Sequence, residues 1–308
     1  MTTWDVRKLG EQAGRTFVVT GGNSGIGLEA ARQLVARGAH AVLACRDPRR
    51  AEEARVDISR NAPGRATVVE LDLADLDSVD TFAKRLPDDL GPLSGLVCNA
   101  GVMGGAYRTT EQGHELQMGT NHLGHAALVS TLWPLLEESA GRVVVVSSIA
   151  ARGGNLSAVT TADDLVTPTP YESQKVYART KQANLLFAQE LHRRSAAAGR
   201  PVSAVACHPG VSWTNLFVRQ LQDSGRGWAV PAARLIGPVA MQPARAGALP
   251  TLRALDHSTP SGAFVGPAHL GQWRGRPELL DVYRTGSDAA AAARLWELTE
   301  SILGHPIL

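Results

Sequence analysis

Between Thr16 and Cys207 short apolar runs alternate with stretches of helical periodicity, and nothing else in the chain narrows its fold so far. Six runs read as strands: Thr16–Thr20, His40–Ala44, Ala66–Leu71, Gly95–Cys98, Arg142–Ser147 and Val202–Cys207. They are rich in Val and Leu with little polar alternation, the pattern of parallel strands covered on both faces. Leu28, Ala31 and Val35 share one face of a first helix that stops at Gly38, and Asp47-Pro48 supplies an N-cap and first-turn residue for the next. Two longer helices are read at Glu111–Glu138 and Tyr177–Ala198. The rhythm predicts an α/β fold, a Rossmann-type doubly wound parallel sheet of about seven strands with helices on both faces. With no internal repeat or low-complexity linker, a single domain is expected over 1–308.

Two segments break the rhythm. Ala151–Pro170 is a polar insertion containing Gly and Pro, and Gly210–Pro243 mixes Trp213, Phe217, Trp228, Leu235 and Met241 with Gly, Pro and Arg. The second follows the sixth strand, at the carboxyl edge where open sheets bind ligands. It reads either as a small lid over an apolar substrate, about 210–243, or as a packed surface excursion.

Composition excludes several partners. The net charge is +2, from 31 basic and 29 acidic residues, too balanced for nucleic acid or anionic lipid to be the main partner. With 44% hydrophobic and 19% charged residues the chain is not disordered. Cys45, Cys98 and Cys207 each end a short apolar run, which reads as buried thiols in a reducing compartment. No apolar stretch is long enough to cross a bilayer, and Met1 to Gly14 carries charges throughout. Neither signal peptide nor membrane anchor is expected, and the chain reads as cytoplasmic.

Thr20-Gly21-Gly22-Asn23-Ser24-Gly25-Ile26-Gly27 directly follows the first strand and opens a helix. Glycines serve where the backbone must turn sharply and approach phosphate closely, and the helix start offers N–H groups and a positive dipole end. The core over about 14–207 therefore reads as dinucleotide-binding, with Gly21, Asn23, Ser24, Gly25, Ile26 and Gly27 as the phosphate turn.

The spacing Thr-Gly-x3-Gly-x-Gly is that of the short-chain dehydrogenase/reductase family, which this sequence resembles over nearly its whole length. Asn99-Ala100-Gly101 after the fourth strand, Asn121 in Thr-Asn-His-Leu-Gly-His, Ser147-Ser148 and His208-Pro209-Gly210 with Thr214 carry the resemblance further. Ala44-Cys45-Arg46-Asp47, the run Lys181 to Phe187 and Arg294 to Leu298 are similar to the branch of retinol dehydrogenase-like and WW-domain oxidoreductase-like proteins. The resemblance implies a nicotinamide cofactor held also by Asn99, Ala100, Gly101, Pro209, Gly210 and Thr214. Asp72-Leu73 matches the family's adenine-contacting pair and also reads as a cap for the helix near Asp75.

In dinucleotide folds an acid after the second strand takes the ribose hydroxyls, whereas an Arg accommodates a 2′-phosphate. Arg46 stands at that place and Asp47 is engaged as a helix cap, so NADP(H) is expected over NAD(H).

Carbonyl reduction needs an acid that protonates the developing alkoxide, and a phenol beside a cation can serve. Tyr and Lys four apart share a helix face. Only four residues are Lys, yet both Tyr171–Lys175 and Tyr177–Lys181 show the spacing. The second is preferred: its helix pattern continues through Ala183, Leu186, Phe187 and Leu191, whereas Tyr171 follows Pro168 and Pro170. By resemblance Ser148 holds the substrate oxygen, Tyr177 protonates it, Lys181 binds the nicotinamide ribose and lowers the Tyr177 pKa, and Asn121 anchors a water relay. His114, His122 and His125 lack the companions of a metal site, so no metal is expected.

The resemblance thus implies interconversion of a carbonyl and an alcohol on a fairly apolar small molecule, with room for a homo-oligomer. Two alternatives stay open: a reductase or redox-neutral enzyme of a biosynthetic pathway on the same fold, and a non-catalytic NADP(H)-binding sensor.

Overall fold

The computed structural model describes residues 4–87, 89–212, 228, 230 and 241–308. Its sheet contains β1 (Thr16–Thr20), β2 (His40–Cys45), β3 (Arg65–Glu70), β4 (Gly95–Cys98), β5 (Arg142–Val146), β6 (Ser203–Cys207), β7 (Phe264–His269) and β8 (Arg274–Leu280), in the order β3-β2-β1-β4-β5-β6-β7-β8. β1 to β7 run parallel and β8 runs antiparallel to β7.

Side chains of the central strands leave alternately toward two apolar layers. Val18 of β1 joins one layer while Phe17 and Val19 join the other; Val143 and Val145 of β5 part from Val144 and Val146 in the same way. A period of two without a polar member follows from burial on both faces. α1 (Gly25–Val35) and α2 (Pro48–Ser59) cover one face with the helix Leu249–Leu255, through Ala30, Leu34, Ala51 and Leu252 among others. Asp47 caps α2 as expected, its Oδ1 accepting from Arg50 N at 3.1 Å.

α3 (Leu76–Phe82), α4 (Gly124–Glu138) and α5 (Ser173–Ala197) cover the other face through Phe82, Leu128, Leu132 and Leu191. The last helix, α6 (Ala289–Leu303), packs on α5: Trp296 stacks on Phe187 with ring centroids 5.4 Å apart, and the Arg194 guanidinium lies 4.9 Å over Trp296. No helix among the described residues is long and apolar enough to cross a membrane.

The structure departs from the expected fold at four places. Among the described residues the sheet has eight strands, and its β8 edge is antiparallel rather than parallel. Pro267 and Pro277, paired across β7 and β8, and the charges of β8 disguise both strands; Pro277 is tolerated because β8 is the sheet's edge, and Pro267 lies beyond the Phe264–Val265 stretch that pairs with β6. The helix expected from Glu111 begins at Leu116–Met118, passes through a π turn at Gly119–Leu123, and continues as α4. Gly113, at φ +82°, and the bridge Thr109–Glu115 turn the chain before it. α5 starts at Ser173, before Tyr177.

The insertion Ala151–Pro170 is not merely a polar excursion. Leu156, Val159, Leu165 and Val166 are buried against Leu186 of α5 and Ala291, Ala292 and Leu295 of α6. Thr161 and Asp164 form a reciprocal capping box at the short helix Ala162–Val166. Of the lid expected at about 210–243, residues 213–227, 229 and 231–240 lie outside the described residues, and with them Thr214.

Candidate active site

The carboxyl ends of β1, β2, β4, β5 and β6 open onto a cavity of about 530 Å³. Thr20, the last residue of β1, ties two of these ends together. Its Oγ1 accepts from Asn99 N and Ala100 N, each at 2.9 Å, and its carbonyl accepts from Asn99 Nδ2 at 2.9 Å. Gly21 (φ +64°) and Gly25 (φ +57°) turn the chain into α1 through left-handed backbone that favours glycine. Gly27 is required by proximity: a β carbon there would sit 2.5 Å from Asn99 Nδ2 and 2.6 Å from Gly21 O. Ser24 makes no side-chain cap, so the first amides of α1 keep their capacity to donate to an anion. Gly21, Asn23, Ser24, Gly25 and Ile26 line the cavity, with Gly27 packed behind them.

Arg46, Asp72 and Leu73 line the same end. Arg46 is 66% exposed at its side chain and lies 3.9 Å from Asp72 Oδ2 through Nε. Asp72 also accepts from Ala74 N through Oδ1 at 2.9 Å, whereas Asp75 is the cap of α3. The cap expected of Asp72 thus belongs to the residue three places on, which leaves an Asp72 oxygen toward Arg46.

At the opposite end the two serines that follow β5 divide their tasks. Ser147 Oγ donates to the carbonyl of Lys181 at 2.6 Å, anchoring α5 to the sheet. Ser148 heads the 3-10 turn Ile149–Gly153, its Oγ accepting from Ala150 N at 3.2 Å, and it lines the cavity together with Tyr177. Lys181 Nζ donates to Val146 O at 3.0 Å and lies 5.8 Å from the centroid of the Tyr177 ring.

Both titratable groups are buried. Burial pushes the Tyr177 hydroxyl up to about 12, the nearby Ser148 side chain opposing it, and pulls the Lys181 ammonium down to about 8. Desolvation is the largest effect on this phenol.

Asn121 sits in the π turn, behind the cavity wall. Its Oδ1 accepts from Val102 N at 2.8 Å, and its Nδ2 donates to Val102 O at 2.9 Å and to Thr180 Oγ1 at 3.0 Å. The side chain thereby fastens the segment after β4 to α5. Its carbonyl accepts from His125 Nδ1 at 3.0 Å, and His125 Nε2 meets Thr20 Oγ1 at 2.9 Å. Asn121 and Lys181 approach each other around Gly101, where a β carbon would lie 3.1 Å from Asn121 Oδ1 and 3.7 Å from Lys181 Nζ.

The second Tyr–Lys pair is built differently. The Tyr171 hydroxyl donates to Glu115 Oε1 at 3.4 Å and accepts from Gln117 Nε2 at 3.2 Å, while Lys175 pairs with Glu172 at 2.7 Å on the exposed surface. Neither lines the cavity. Ser148, Tyr177, Lys181, Pro209 and Gly210 do.

Sequence reasoning missed Gln117, whose Oε1 accepts from Gly104 N at 3.2 Å while its Nε2 donates to Ser173 O at 3.1 Å. It joins the loop after β4 to the start of α5, over a separation that no local pattern reveals. The apolar wall of Val102, Met103, Ile149, Val211 and Met241 was also missed, apart from Met241 as a lid residue.

Comparison with known proteins follows the same lines. The profile of the short chain dehydrogenase family matches residues 15–161. Retinol dehydrogenase 14 of Mus musculus is 40% identical over 215 residues, covering 66% of this chain and 63% of that protein. The chain therefore spans less than two thirds of that relative's length. Dehydrogenase/reductase SDR family member 13 of Bos taurus is 36% identical over 303 residues, 97% of this chain and 75% of that protein. A crystal structure of a protein from Mycobacterium Paratuberculosis, 37% identical, superposes with a TM-score of 0.79 and covers 100% of both chains.

Proposed function

Since this chain belongs to the family of NAD(P)-dependent short-chain dehydrogenases/reductases, we propose that it is an NADP(H)-dependent oxidoreductase interconverting a carbonyl and an alcohol on a fairly apolar small molecule. One observation carries this reading: Tyr177, Ser148 and Lys181 share one continuous cavity with the glycine turn that opens α1, the Lys181 ammonium lying 5.8 Å from the Tyr177 ring centroid.

The residues present fit a dinucleotide. Gly27 has no room for a side chain beneath the turn, as close backbone packing under a pyrophosphate demands, and the uncapped start of α1 supplies the donors. Arg46 would take the 2′-phosphate, Asp72 and Leu73 the adenine, and Asn99, Ala100 and Gly101 the middle of the molecule. Lys181 would hold the nicotinamide ribose, and Pro209 and Gly210 the nicotinamide. When bound, such a cofactor supplies or accepts a hydride at the substrate carbon. Ser148 holds the substrate oxygen by donating a hydrogen bond, and Tyr177 delivers the proton that neutralises it. Asn121 holds the wall of this end by fastening Val102 to α5. Val102, Met103, Ile149 and Met241 favour an apolar substrate body. The three free, buried thiols favour a reducing compartment, the cytoplasm.

A titration of the chain with NADPH and with NADH, followed by turnover with ketones and aldehydes, tests the reading. Arg46→Ala should weaken NADPH by about 10-fold or more, the loss of one charge-assisted contact, and change NADH binding by less than about twofold. Equal effects on the two cofactors would refute the 2′-phosphate assignment.

The Lys181 ammonium gives a second expectation. Because burial has brought its titration down from the ordinary 10.5 to about 8, the charged form is lost as the pH rises through about 8. The kcat/KM for reduction should fall across that range in a pH profile, which reports groups of the free enzyme. A rate constant flat to pH 10 would remove the ammonium from the reaction.

A further inference from the structure

Behind the cavity wall at the end of β6 lies a buried polar chain that the reaction itself does not use. His208 is wholly buried. Its Nδ1 accepts from Gly210 N at 3.2 Å, which puts its proton on Nε2. Nε2 lies 3.2 Å from the Tyr283 hydroxyl, and that hydroxyl donates to Gln272 Oε1 at 2.5 Å. The donors therefore run in one direction, from His208 through Tyr283 to Gln272. Gly266 makes room for the ring, since a β carbon there would collide with His208 Nε2.

The segment that carries Gln272 and Tyr283 touches both walls of the reacting end. On one side Val211 N donates to Trp273 O at 2.8 Å, so the turn after β6 is gripped twice. On the other side the Arg152 guanidinium, in the turn that Ser148 heads, lies 4.7 Å over the Tyr283 ring, and Thr285 Oγ1 donates to Ala151 O at 2.8 Å. One piece of chain thus spans from the Pro209–Gly210 turn to the Ser148 turn.

We propose that His208, Tyr283 and Gln272 are positioning residues that hold the Pro209–Gly210 turn in register with Ser148, so that the β7–β8 hairpin sets how the nicotinamide half of the cofactor is seated. This inference rests on the cofactor reading above. A chain whose polar capacity is spent at every joint fixes the turn's distance and tilt; with one joint removed, the turn keeps its fold and loses its register.

Calorimetric titration of the full chain with NADPH and with adenosine 2′,5′-bisphosphate, which lacks the nicotinamide half, tests it. Tyr283→Phe and Gln272→Leu should each weaken NADPH by roughly 5- to 10-fold and leave the bisphosphate within about twofold. Gln272→Glu, which keeps an acceptor, should bind NADPH like the unmodified chain. Gln272 is only partly buried, so its variants report even if the Tyr283 variant does not fold. Unchanged NADPH binding in Gln272→Leu, or parallel weakening of both ligands, overturns the relay and leaves the cofactor reading standing. An unmodified chain that binds the bisphosphate but not NADPH overturns the cofactor reading itself, and the relay with it.

Discussion

Replacing Tyr177 with Phe is expected to lower kcat for carbonyl reduction by about 10³-fold while leaving the dissociation constant of NADPH within about twofold. The substitution removes only the hydroxyl. The ring stays buried in its place on α5, so the fold itself is little disturbed. The reacting oxygen then has no proton donor of its own, whereas the phosphate turn and Arg46, at the far end of the cavity, are untouched. Tyr171→Phe is the matched control. It loses hydrogen bonds to Glu115 and Gln117 outside the cavity and should keep turnover within a few-fold. Full activity in Tyr177→Phe, or a collapse in Tyr171→Phe alone, would move the proton donor to the other tyrosine.

The second large effect is expected at Gly27. A methyl group there meets Asn99 Nδ2 at 2.5 Å and Gly21 O at 2.6 Å, and neither can yield freely. Asn99 is held by its hydrogen bond to Thr20 O, and Gly21 by its N–H donating to Ala44 O at 2.8 Å. Gly27→Ala should therefore raise the dissociation constant of NADPH by at least about 100-fold, since the turn must move out of the cofactor's path, at an overpacking cost to the fold of about 1–3 kcal/mol. Thermal melts without cofactor separate the two effects. Gly153→Ala, with nothing within 4 Å of its β carbon, should change neither. NADPH binding undisturbed in Gly27→Ala would remove the close-approach argument for this turn.

What the sequence made legible depended on how local the physics was. β1 and β4 begin and end where their apolar runs do, because burial on both faces needs only the run itself. Asp47 could be read as a cap because Asp-Pro is a two-residue signal. The choice of Tyr177 over Tyr171 rested on an unbroken helix pattern, and the structure puts Lys181 inside the cavity wall and Lys175 on a surface pair with Glu172. The features that escaped depend on partners far apart in the chain. His208 meets Tyr283 across 75 residues and Arg142 reaches Ala254, Asp256 and Thr259 across more than a hundred. β8 escaped for the opposite reason: its own composition argues against a strand, and only the neighbour it pairs with makes it one. The burial that raises the Tyr177 pKa also escaped, because charge proximity is visible in spacing, while depth of burial is not.

The antiparallel β8 also sets what the sheet presents at this rim. A sheet that ended at β7 would expose a row of peptide groups ready to stack laterally on a second molecule. Instead the last strand carries Arg274, Arg276 and Glu278, and Pro277 withholds an amide from its ladder. This rim therefore alternates charged side chains with a proline and the exposed Leu279, in contrast to the unbroken apolar runs of the strands inside the sheet.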